Sequence, residues 1–107
     1  MKLITAIVNK DDSVAVQTGL TSNGFQVTRL ATTGGFLQAG NVTFMIAVDD
    51  AKVDEAISII AEQSKQRKQL VPATTTYGMG ISNAYPLEVT VGGATVFVQN
   101  IERFEKL

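Results

Sequence analysis

An apolar run, a pair of aspartates and a helix-compatible stretch occur twice in this chain. Ile4–Val8 leads to Asp11-Asp12, and Phe44–Val48 leads to Asp49-Asp50, a period of about 40 residues. Each run is too short for a helix and too continuously apolar for a half-exposed strand. It reads as a strand buried on both faces. Two copies are too few for a solenoid, so the repeats must bury their apolar faces in one small core. The 107 residues suffice for one domain and not for two ordinary ones.

The remaining elements follow from periodicity and turn residues. Lys2–Val8 is the first strand. A helix is expected over about residues 12–22, with Asp11 to Ser13 as N-cap residues and Val16 and Leu20 one turn apart. Gly19 weakens it, and Asn23-Gly24 is a stop. Phe25–Leu30 and Val42–Val48 read as strands. Asp49-Asp50 precede a second helix with an apolar face of Val53, Ile57 and Ile60, and Ala56 and Ala61 beside it. Asp54 and Glu55 in its first turn and Lys65, Arg67 and Lys68 in its last would complement the helix dipole. A short strand near 69–72 precedes a long mobile loop containing Thr74-Thr75-Thr76 and Pro86. Leu87–Val91 and Ala94–Val98 are further strands, with Gly92-Gly93 as a tight hairpin turn between them.

Two strand–helix–strand units in one small domain predict an α+β, ferredoxin-like (double βαβ) sandwich: an antiparallel sheet with two helices on one face. The strands look apolar on both faces, which is more than two helices can bury. That predicts association of subunits through the sheet.

Composition narrows the chemistry. Nine basic residues against ten acidic ones give a net charge of −1, so the broad cationic surface of a nucleic-acid-polymer binder is missing. There is no cysteine and no histidine. Zinc or copper held by thiolate or imidazole is excluded, as are cysteine nucleophiles and histidine bases. No disulfide framework exists, the apolar N-terminal run is too short for a signal peptide, and no stretch is long enough to span a bilayer. The expectation is a cytoplasmic protein without a metal or cofactor.

The segment Ala31-Thr32-Thr33-Gly34-Gly35-Phe36-Leu37-Gln38-Ala39-Gly40-Asn41 has two readings. Its glycines and threonines suit an anion such as phosphate, Phe36 suits stacking on a base, and Asn41 suits an adenine edge. It also suits a plain hairpin connection with an apolar residue packed inward. It lacks the lysine of a P-loop, and no G-x-G-x-x-G occurs. Asp11/Asp12 and Asp49/Asp50 suit helix capping better than metal or acid–base work. No nucleophile, base and orienting group stand together in the pattern.

Leu30 to Asn41, together with Val91-Gly92-Gly93-Ala94-Thr95-Val96-Phe97-Val98, resembles the PII-like cyclic di-AMP receptors of the nitrogen regulatory PII superfamily. The likeness runs from Met1 through Phe104. It implies a non-enzymatic homotrimer that binds cyclic di-AMP in clefts between subunits and signals to a protein partner through loops at about 34–40 and 73–86. By that resemblance, Phe36 and Leu37 wall adenine and Asn41 bonds base edges. Thr28 and the Gly35 backbone face phosphate or ribose, and Gly92 and Gly93 bring a neighbouring backbone close to the ligand. Gln26 stands where the family has a ligand-contacting arginine, Gly24 where it has asparagine, and Ala47 where it has glycine. The loop around Met79 to Pro86 is shorter. Arg29 falls on the opposite strand face from Gln26, which leaves Lys106 as the candidate replacement cation. Gln26 keeps open a PII-like trimer for a different adenine nucleotide such as ATP. A small ferredoxin-like enzyme is the third reading.

Overall fold

The computed structural model describes residues 1–30, 40–71 and 87–107. The expected loops at about 34–40 and 73–86, with Gly35, Phe36, Leu37 and Thr74 to Thr76, lie outside the described residues, apart from Gly40. Among the described residues six strands and two helices follow one another: β1 (Lys2–Asn9), α1 (Lys10–Ser22), β2 (Thr28–Leu30), β3 (Asn41–Val48), a 3-10 turn (Asp50–Lys52), α2 (Val53–Gln63), β4 (Arg67–Val71), β5 (Leu87–Val91) and β6 (Ala94–Asn100).

The two repeat strands pair with each other. β1 and β3 run antiparallel in continuous register from Lys2↔Val48 to Asn9↔Asn41, and β6 takes the other edge of β1, from Lys2↔Asn100 to Val8↔Ala94. The four-stranded order is β2-β3-β1-β6. It is antiparallel throughout and compatible with a ferredoxin-like sandwich. β4 and β5 form a separate two-stranded sheet.

Strand alternation sorts the side chains. Ile4, Ala6 and Val8 of β1 and Phe44, Ile46 and Val48 of β3 share one face with Val96 of β6. On them pack Val16 and Leu20 of α1 and Ala56 and Ile60 of α2, with Phe25 closing one end. Gly19 lets α1 approach α2: a Cβ there would stand 3.0 Å from Ile59 Cγ2. The opposite face carries Leu3, Ile7, Met45 and Ala47, half-buried, and Leu30 and Phe97, exposed at 39% and 54%. No helix covers that face among the described residues.

Several local expectations need correction. α1 begins at Lys10, and its N-cap is Asn9, whose side chain accepts from the Asp11 N–H at 2.8 Å. The aspartates do not cap it, because β1 turns into the helix without a linker. Asp12 is buried and holds Arg67 instead. Asp49 precedes the 3-10 turn without a side-chain capping bond, and Asp50 takes the N-terminal ammonium. α2 stops at Gln63, where Ser64 Oγ donates to the Ile60 carbonyl at 2.5 Å. Lys65, Arg67 and Lys68 therefore lie beyond its last turn. Ala61 is exposed, and Ile59 packs on the core in its place. β2 starts only at Thr28, since Phe25 belongs to the close of α1, and β4 starts two residues earlier than expected. Gly92-Gly93 is not a hairpin turn: β5 pairs with β4 and β6 with β1, so the chain changes sheets there.

Among the described residues Phe44 is the largest fully buried side chain, opposite Ala6 in the β1–β3 register and Arg29 in the β2–β3 register. Phe44→Ala is expected to cost about 3–5 kcal/mol, read as a lower urea midpoint with an unchanged slope.

Candidate ligand cleft

The cleft starts from how α1 ends. Gly24 has φ +87°, its N–H donates to the Thr21 carbonyl at 3.1 Å, and the Phe25 N–H donates to Leu20 at 3.0 Å. These two bonds are the Schellman arrangement, and the Leu20–Phe25 apolar pair that accompanies it is buried in the core. The turn delivers Gln26 and Thr28 to the outside of the sheet edge. Position 24 requires the left-handed region, which glycine and asparagine both tolerate. Where the resemblance expects asparagine, glycine therefore keeps the turn without a side-chain amide. Asn23 does not replace that amide, because its Nδ2 is donated to the Gly19 carbonyl at 2.7 Å.

An open cleft of about 720 Å³ lies here, lined by Asn23 to Gln26, Thr28, Met45, Ala47 to Asp49, Lys52, Met1, Phe104 and Lys106. That volume is within the range of small-molecule sites. The C-terminal tail reaches it because the Ile101 N–H donates to the Met1 carbonyl at 3.1 Å, which carries the chain past the start of β1. Apolar surface comes from Phe25, Met45 and the half-exposed ring of Phe104. Lys52 and Lys106 supply positive charge, with the carboxylate of Asp49 opposing. Lys52 also meets Glu55 at 3.5 Å in an exposed pair. The described residues contain no cluster of three or more carboxylate, histidine or cysteine side chains fit for a metal.

Of the residues marked by resemblance, the structure gathers Gln26, Thr28, Ala47 and Lys106 in this cleft. The methyl of Ala47 occupies space that glycine would leave open. Asn41 begins β3, six residues from Ala47 and so about 20 Å along the strand. Within one chain Asn41 and this cleft are separate. Arg29 pairs with Phe44 and does not line the cleft. Gly92 and Gly93, with φ +86° and +83°, pack against their own chain: an added Cβ would meet Lys65, Arg67 or Gln66. Phe104, Met45 and Lys52 are cleft residues that sequence reasoning did not assign. The one available signal was Phe104, an aromatic in an otherwise charged tail.

The model of the cyclic-di-AMP receptor family matches residues 1–107, and the chain belongs to that family. It is also similar to a crystal structure of a functionally unknown protein from Pediococcus pentosaceus. That likeness has a TM-score of 0.75 and 36% identity, over 99% of this chain and 96% of the other. No helix among the described residues is long and apolar enough to cross a membrane.

Beside the cleft, the N-terminal ammonium sits 2.7 Å from Asp50, with Lys2 at 3.9 Å. Hydrogen bonding to that ammonium, and then Lys2, holds the Asp50 carboxyl below its ordinary 3.8. A lowered carboxylate pKa stabilises the fold above the ordinary value and loses that contribution as pH falls below it. Asp50→Asn is expected to flatten the acid limb of Tm against pH below about 4. Added salt is expected to shrink the difference, because the pair is exposed.

Proposed function

We propose that the chain is a receptor that binds cyclic di-AMP in clefts between the subunits of a homotrimer and signals through the conformation of its loops to a protein partner. Family membership over the full chain carries this reading. The gathering of Gln26, Thr28, Ala47 and Lys106 around one open cleft supports it. So does the surface chemistry: aromatic and thioether groups for a purine, and two lysines for phosphodiesters. In this reading Phe36, Leu37, Gly35 and Asn41 complete the site. Asn41 lies too far along β3 to share the cleft of its own chain, which fits a site shared between subunits.

The uncovered sheet face supports the trimer. Leu3, Ile7, Met45, Leu30 and Phe97 would meet neighbouring subunits, withdrawing from water an apolar surface of the kind that marks interfaces. Phe97→Asp is expected to convert the assembly to monomer while the core folds, since Phe97 is outside the core. Sedimentation analysis checks the mass and circular dichroism checks the fold. A Phe97→Asp chain that keeps the wild-type mass would remove this face from the interface.

Gln26 favours a second reading, a trimer of the same kind that senses another adenine nucleotide such as ATP. A neutral amide in place of a guanidinium forgoes a charged hydrogen bond of about 1.5–3 kcal/mol. Calorimetry with cyclic di-AMP and ATP separates the two. Micromolar or tighter binding of cyclic di-AMP, one per subunit, is expected, with Gln26→Arg tightening it about tenfold to a hundredfold. ATP binding without any cyclic di-AMP response would transfer the assignment to the second reading.

A further inference from the structure

We propose that Asp12 and Arg67 form a clamp at the root of the β4–β5 hairpin, and are the positioning residues that set the hairpin's direction on the core. The hairpin needs such a device. Its strands pair only with each other among the described residues, in a sheet separate from the four-stranded one. Lys68, Leu70, Glu88 and Thr90 are exposed and Val89 and Val91 only half-buried, so apolar packing of these side chains gives it little orientation. Its own cross-strand pair, Lys68 with Glu88 at 3.4 Å, holds the two strands together without touching the core.

At the root the picture changes. Arg67 Nη2 donates to Asp12 Oδ1 at 3.0 Å, and Nη1 donates to Oδ2 at 3.3 Å. Nη1 also donates to the Lys65 carbonyl at 3.2 Å. The second strand arrives at the same spot, since Arg67 pairs with Val91. Gly92, the next residue, lies against the guanidinium: a Cβ there would be 2.6 Å from the Lys65 oxygen and 2.7 Å from Arg67 Nη1. The Gly93 N–H then donates to the Ser64 carbonyl. Both feet of the hairpin thus converge on one carboxylate, which belongs to the first turn of α1.

The chemistry suits a positioning role. A guanidinium on a carboxylate makes two parallel bonds, which fix an angle as well as a distance. Asp12 is 7% exposed and so has little access to water beside that partner, while Arg67 remains half-exposed on the hairpin side. Neither residue belongs to the apolar core cluster. Opening the clamp should therefore release the hairpin and leave the core intact.

The absence of cysteine allows a direct test. Spin labels on Val14→Cys in α1 and Thr90→Cys in β5, diluted into unlabelled full-length chain, report the hairpin's placement relative to the core. A narrow distance distribution is expected. Asp12→Asn should broaden it while amide exchange in β1 and β3 stays unchanged. Arg67→Lys, which keeps the charge and loses the fork, should give an intermediate width and decides the matter if Asp12→Asn does not fold. An unchanged distribution would overturn the proposal. So would broadening with equally accelerated exchange in β1 and β3, which would make the pair a general stability contact.

Discussion

Everything in this molecule is referred to the pairing of β1 with β3. These are the two apolar runs of the internal repeat, and they lie side by side in unbroken antiparallel register. Because side chains alternate along a strand, that register puts Ile4, Ala6 and Val8 on the same face as Phe44, Ile46 and Val48. A slip of one residue would turn one strand's three residues outward against the other's. Both helices pack on that face. The opposite face is left with Leu3, Ile7, Met45 and Phe97, so the same register that makes the core also leaves the outer face apolar.

The cleft is a product of chain ends and turns at one end of that sheet. The left-handed Gly24 stops α1 and releases Gln26 and Thr28 along the β2 edge. The bond from Ile101 to Met1 brings Phe104 and Lys106 over the same spot. Strand residues Thr28, Met45 and Ala47 thus form one part of its lining, and the turn after α1 and the C-terminal tail form the rest.

Much of the fold was legible in the pattern of residues. The apolar runs marked β1 and β3, the Val16–Leu20 spacing marked α1, and Asn23-Gly24 marked its end. The misreadings share a cause. Asp11, Asp12, Asp49 and Asp50 looked like caps because local chemistry allows it, but Asn9 caps α1, Asp49 makes no side-chain capping bond, and Asp12 and Asp50 are taken by distant partners. Asp12 meets Arg67 across 55 positions of chain, and Asp50 meets the N-terminus. Gly92-Gly93 looked like a hairpin turn because glycines with positive φ suit one. Which sheets its flanking strands join is a matter of non-local pairing that a local pattern does not contain.

The sequence alone determined which stretches are strands and helices, excluded thiolate and imidazole chemistry, and carried the motifs by which the family is identified. These properties reside in residue types and short spacings. Tertiary structure decided that Phe104 and Lys52 line the cleft, that Ala47 and Lys106 share it with Gln26 while Asn41 stands about 20 Å along β3, and that Arg67 clamps Asp12. Those are contacts between residues far apart in the chain, and only the closing of the sheet, with the free energy of burying its apolar face, brings them within reach of one another.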